Sequence, residues 1–255
     1  MSARLSLLDR LLAREGISVA FQPIVEFRDG VERLHSLECL VRGPAGTNAE
    51  SAAVLFDYVR RRGAEVAVDR LCIAACLHSA RTFPSWVRFS VNVHATTLSR
   101  DEKFVEYLLC TLRAQDIAAS RLTIEIVEHA PPHDGPAFLR TIAAIREAGL
   151  QLALDDIGLG HSNYKMIVDS RPDYFKIDRY FISTAQSDPY RLAVLESVAH
   201  LASRVGARVV AEGVETREAL LTVTNVGINL IQGFLVAPPL TGQAALNHRL
   251  LMPVA

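Results

Sequence analysis

The residues with chemistry to offer are acidic and recur in short motifs: adjacent Asp155-Asp156, Glu125 with Glu128, Lys176 with Asp178, and Glu212 with Glu215. Glu38, Asn92 and Gln232 join them, each inside a short apolar run. Carboxylates brought to one place repel strongly unless cations neutralise them. A ligand set made of oxygen, without thiolate and nearly without imidazole, selects hard divalent ions, Mg²⁺ or Mn²⁺, over zinc. The tandem Asp155-Asp156 suits two ions, one carboxylate bridging while its neighbour turns toward the second. Paired ions of this kind serve in-line phosphodiester hydrolysis, so the residues point to a metal-dependent phosphoesterase.

Whether the acids meet depends on the elements that carry them. Short β-branched or apolar runs at 18–25, 34–41, 87–94, 122–128, 150–157, 173–178, 208–214 and 230–236 read as strands. Helix-length segments at 101–115, 135–149 and 190–206 lie between them, the last two ending on Gly149 and Gly206 as helix C-termini often do. This alternation predicts an α/β chain folded as a TIM (β/α)8 barrel. One link departs from it. Residues 26–33, EFRDGVER, are too few for a crossover helix and carry an Asp-Gly turn, so a hairpin is expected and the first strand runs antiparallel to its neighbour.

Barrel strands are buried on both faces, and ionisable residues within them need a reason. Singly, each has an ordinary one: Asp155-Asp156 before Gly158 as a turn, Glu215 as a helix cap, Lys176 and Asp178 as an ion pair, Asn92 and Gln232 as interior hydrogen-bonders. Together they fall near the ends of seven successive strands, on the face where this fold keeps its active sites.

Length and composition agree with one domain over residues 1–255: half the residues are hydrophobic, and no linker-like stretch divides the chain. Lys and Arg number 27 against 28 Asp and Glu, a net charge of -1, so no global basic field exists for DNA, RNA or anionic lipid. The N-terminal MSARLSLLDRLLAREG is amphipathic rather than a signal peptide or membrane span, and a cytoplasmic location is expected. Cys39, Cys72, Cys76 and Cys110 form no CxxC pair and read as reduced, mostly buried apolar residues. Gly158-Leu159-Gly160 reads as a mobile active-site loop, and His94, His129 and His161 as incidental.

In order and spacing, FQPIV at 21–25, ECLVR at 38–42, SVNV at 90–93, EIVE at 125–128, DDIGLG at 155–160, KID at 176–178, AEGVE at 211–215 and QGF at 232–234 resemble the EAL-domain family of cyclic di-GMP phosphodiesterases. The resemblance implies a TIM barrel with an antiparallel first strand, a homodimer, two Mg²⁺ or Mn²⁺ ions, and hydrolysis of cyclic di-GMP to linear pGpG. It implies Glu38, Asn92, Glu125 and Asp155 as metal ligands, with Asp155 bridging and Asp156 serving the second ion. Lys176 would orient the attacking water, Glu212 would act as general base or second-site ligand, and Glu128 would anchor the loop after strand five. Gln22, Arg42, Gln232 and Glu215 would line or support the substrate site. Cys39 stands where the family signature has Ala, and DDIGLGHSN at 155–163 where it usually has DDFGTGYSS, so Leu159 lacks the Thr hydroxyl expected to reach Glu128. That altered loop keeps open an alternative: a weak or inactive module that binds cyclic di-GMP or a protein partner as a sensor.

Overall fold

The computed structural model describes residues 7–12, 16–127, 135–159 and 163–251. β1 (Ser18–Arg28) and β2 (Val31–Arg42) form the expected hairpin. Asp29 and Gly30 join them with φ of 53° and 76°, the left-handed pair whose twist matches that of the flanking strands. β3 (Phe89–His94), β4 (Leu122–Val127), β5 (Gln151–Ile157), β6 (Tyr174–Ile177), β7 (Arg208–Ala211) and β8 (Leu230–Gln232) follow, each parallel to the strand before it. β1 lies between β8 and β2, antiparallel to both, and closes an eight-stranded TIM barrel. A two-residue β9 (Leu240–Thr241) adds to β1 beside β8; so short a strand carries no periodic signal and was not anticipated.

The expected helices are present as Phe104–Ala114, Gly135–Glu147 and Pro189–Val205. The last shows its sequence logic at both ends. Asp188 accepts from the Tyr190 and Arg191 amides, Pro189 opens the first turn, and Gly206 closes it at φ 75°. The runs expected as strands over 208–214 and 230–236 stop early, at Ala211 and Gln232. Glycine explains both ends: Gly213 has φ 62°, and a Cβ on Gly233 would strike the backbone of Val214. The two segments instead cross at the mouth, where Val214 N donates to Gln232 O at 3.0 Å.

Strand periodicity sorts the side chains into layers. Alternate residues such as Val91, Ile124, Leu152 and Phe175 face the helices and form the main core, each burial contributing about 1.5–3 kcal/mol. The other set lines the barrel axis. Its upper layer is Gln22, Glu38, Asn92, Glu125, Asp155, Lys176, Glu212 and Gln232. Two residues below each along the strand lie Ile24, Ser36, Ser90, Thr123, Ala153, Tyr174, Val210 and Leu230. The acidic groups along the barrel axis are therefore gathered at one end.

Candidate active site

Lys176 is the centre of the upper layer. It sits mid-barrel on β6, 2% exposed, and its ammonium meets Glu125, Glu212 at 2.7 Å, Glu38 at 3.1 Å and Asp155 at 3.8 Å. Glu38 is held further by amides: Asn92 donates to one oxygen at 3.0 Å and Gln232 to the other at 2.7 Å. Gln232 also donates to Gln22 at 3.3 Å, and Gln22 to the Ala237 carbonyl at 3.2 Å. Residues from β1, β2, β3, β4, β6 and β8 are thus tied into one network.

Regular alternation would turn Asp155 and Asp156 to opposite faces of β5. The register between β5 and β6 shifts between Leu154 and Ile157, and Asp156 adopts φ 53°. A left-handed non-glycine residue at a bulge is strain of the kind that re-aims a side chain at a functional site. Its amide donates to Asp155 Oδ1 at 2.9 Å, and both carboxylates face the mouth. Two groups of acids result, Glu38, Glu125 and Glu212 in one and Asp155, Asp156 and Glu212 in the other, with ligand atoms within 4.8 Å of one another. Glu212, one residue past β7, is common to both; the family resemblance assigns the bridging role to Asp155.

One ammonium does not neutralise five carboxylates. Burial pushes the Glu125, Asp155 and Glu212 carboxyls up, Glu212 to about 8, with Lys176 opposing each rise. Burial also acts to raise Glu38, but Lys176, Gln232 and Asn92 outweigh it and hold that carboxyl below its ordinary range. For Lys176 itself, burial favours the neutral amine, yet Glu125, Glu212, Glu38 and Asp155 raise its pKa well above the ordinary value. Among the described residues three buried side-chain atoms lack a hydrogen-bond partner, and Glu125 Oε2 is one of them. An oxygen-only set carrying surplus negative charge fits hard divalent cations.

The remaining expected site residues are placed as follows. Arg42 ends β2 with its guanidinium on the Val41 carbonyl at 3.0 Å, beside a hollow shared with Phe56 and Asn92. Glu215 is not brought into the acid cluster; it pairs with Arg179 at 2.7 Å near the surface. Asp178 caps the short helix Arg179–Ile182 through the Tyr180 amide. Glu128, with His129 and His161, lies outside the described residues. Cys39, Cys72 and Cys76 are buried as expected, whereas Cys110 is exposed.

Sequence reasoning missed one constellation. Asp69, 1% exposed on the helix Glu65–Ala80, accepts from the His94 and Thr97 groups: the His94 amide at 3.0 Å, the Thr97 hydroxyl at 2.6 Å, with His94 Nδ1 at 2.8 Å. Burial alone would favour neutral His94, but Asp69 raises its pKa. A lone Asp within the apolar helix was the available signal. His94 lines a cavity of about 300 Å³ with Asn92, Asp155, Phe56, Asp57 and Arg60, directly beside the acid cluster.

Comparison with known proteins agrees with this geometry. The family model for the EAL domain matches residues 6–239. A cyclic di-GMP phosphodiesterase of Pseudomonas aeruginosa is 30% identical over 249 residues, covering 92% of this chain and 40% of that protein. A probable cyclic di-GMP phosphodiesterase of Escherichia coli, PdeN, is 28% identical, with 90% of this chain and 44% of that one covered. This chain thus spans less than half the length of either relative. Among solved structures, Klebsiella pneumoniae BlrP1, in a calcium and cyclic di-GMP complex, superimposes with TM-score 0.80 at 28% identity over 90% of this chain and 57% of that one. The EAL enzyme Bd1971 shares the fold, with TM-score 0.85 at 23% identity over 94% and 66%. No helix among the described residues is long and apolar enough to cross a membrane.

Proposed function

The chain belongs to the EAL domain family, and on that premise we propose that it hydrolyses cyclic di-GMP to linear pGpG with two divalent cations, Mg²⁺ or Mn²⁺. The observation that carries the reading is the pair of carboxylate groups sharing Glu212 beside Lys176 at the barrel mouth. As family resemblance implies, Glu38, Asn92, Glu125 and Asp155 would hold one ion, and Asp155 and Asp156 would serve the second, with Glu212 beside both groups. When bound, such ions stabilise charge on the phosphate and on the attacking and departing oxygens.

The chain's own residues do the rest. Glu212 is the base for the attacking water and acts in its carboxylate form; burial holds the ion-free carboxyl up at about 8, so it must first lose its proton, as it would when cations enter beside it. Lys176 keeps the acids together and orients that water. Attack at phosphorus breaks the bond to the 3′ oxygen, which takes a proton from solvent water as it leaves, and the phosphate stays on the 5′ carbon as pGpG requires. Arg42, Gln22 and Gln232 border the substrate path, Arg42 offering a planar fork for a phosphate. The cavity between Phe56 and Asp155 has the volume of a small-ligand site and suits one nucleoside half. Glu215 supports from the rim through Arg179, and the family resemblance gives Glu128 the role of anchoring the loop after β5. A homodimer is proposed from family resemblance, supported by Tyr164 and Val168, 78% and 70% exposed on the helix Asn163–Ser170.

Calorimetric titration with Mn²⁺ and then cyclic di-GMP tests the reading. Two ions and one nucleotide per chain are expected; uptake of neither contradicts it. The same titration carries a pH prediction. Glu212 holds a proton up to about pH 8 in the ion-free fold and from 4.5 downward when unfolded, so it lowers folding stability as pH rises through that window. An ion requires the carboxylate, so Mn²⁺ affinity rises from pH 6.5 to 8.5 with protons released to buffer. Comparing heats in buffers of different ionisation enthalpy measures that release; a pH-independent affinity would show the site is already deprotonated.

A further inference from the structure

The layer beneath the acids is uneven. On one side of the axis Ile24, Tyr174, Val210 and Leu230 pack into an apolar cluster. On the other, Ser36, Ser90 and Thr123 take the places where bulky branched residues usually fill such a barrel. A chamber of about 20 Å³ remains, roofed by Glu125 and Lys176 and floored by His35, Arg88 and Gln151. Two polar atoms border it without a partner, Glu125 Oε2 and Ser90 Oγ, on residues 1% and 4% exposed. Buried polar groups are almost always paired, and here both orphans belong to residues that line one small space.

We propose that this chamber is a binding site for one water molecule, through which Ser90 positions Glu125. The inference rests on the reading of Glu125 as an ion-holding carboxylate. A water needs about 10–15 Å³ and two or more polar partners, and the chamber meets both conditions. A nucleotide is far too large. A cation is disfavoured by Lys176 and Arg88 in the same lining, and an anion by Glu125. The water donates to Glu125 Oε2 and exchanges a hydrogen bond with the Ser90 hydroxyl, while Lys176 engages Oε1. Both oxygens are then held, and the carboxylate cannot rotate away from the mouth. Ser90 is a positioning residue, acting only through the water.

The test joins a high-resolution crystal structure of the full chain to Mn²⁺ titration of three variants. Density within hydrogen-bond distance of both Glu125 Oε2 and Ser90 Oγ is expected in the unaltered protein. Ser90→Val, which fills the chamber, should lose that density and weaken Mn²⁺ binding about tenfold or more, as loss of groups supporting a metal ligand does. Ser90→Ala, which keeps the fold with little risk, should weaken it less, and so should Ser90→Thr, which is as bulky as valine but keeps a hydroxyl toward Glu125. A dry chamber in the unaltered protein overturns the site. Full Mn²⁺ affinity in Ser90→Val, with the density gone, overturns the positioning role. If the unaltered chain binds no Mn²⁺ yet shows the density, the metal reading of Glu125 fails and the water site stands.

Discussion

Asp155→Asn is expected to lower turnover of cyclic di-GMP by about 10³-fold, while the barrel unfolds at an unchanged or higher temperature. The substitution is isosteric, and the amide oxygen still accepts from the Asp156 N–H that Asp155 Oδ1 now holds at 2.9 Å. Local backbone geometry therefore survives. What disappears is one negative charge among the five carboxylates that meet over Lys176. In the ion-free chain that charge is a burden, since burial already drives the Asp155 carboxyl toward its neutral form. In the loaded site it would be one of the groups that hold cations against the phosphate. Glu38→Ala should behave alike in turnover. Steady-state rates with thermal unfolding curves decide the matter, and retained activity in either variant would remove the metal assignment.

Lys176→Met is expected to have the opposite effect on stability, destabilising the ion-free fold by about 3–5 kcal/mol near pH 8, and to silence turnover as well. Methionine matches the lysine stem in length, so the loss is one of charge. Without the ammonium, the upward push of burial on Glu38 is no longer outweighed by its principal opponent, and Glu125, Asp155 and Glu212 lose theirs. All four pKa values then rise. A carboxyl raised in the folded state costs stability as pH climbs through that value, so the deficit of the variant is small at pH 5.5 and large at pH 8. Mn²⁺ should recover part of it, by replacing the missing cation with another. Urea unfolding at the two pH values, with and without Mn²⁺, measures this; an equal deficit at both would mean the lysine acts through packing.

Much of this architecture was legible because strand physics is local. Short β-branched or apolar runs located all eight barrel strands, and Asp29-Gly30 specified the hairpin that reverses the first. The acids were legible for the same reason: an ionisable residue inside a doubly buried strand has few ordinary explanations, and Glu38, Glu125, Asp155 and Lys176 converge as that argument required. What escaped depends on contacts distant in sequence. The Asp69 to His94 pairing joins a helix to a strand 25 residues away, and no spacing rule reports it. Strand ends at Ala211 and Gln232 follow from a crossing between Gly213 and Gly233 that neither segment reveals alone. Glu215 looked like Glu212 in sequence, three residues on, yet the turn at Gly213 sends it outward to Arg179.

The central claim is that these acids make a cation-dependent phosphodiesterase, and product formation tests it most directly. Purified chain is incubated with cyclic di-GMP in Mg²⁺, in Mn²⁺ and in EDTA, and the nucleotides are separated by chromatography. The account predicts pGpG in either metal, none in EDTA, and none from Glu38→Ala. Cyclic di-GMP left intact in both metals, with binding confirmed by calorimetry, would contradict it and make the barrel a nucleotide sensor.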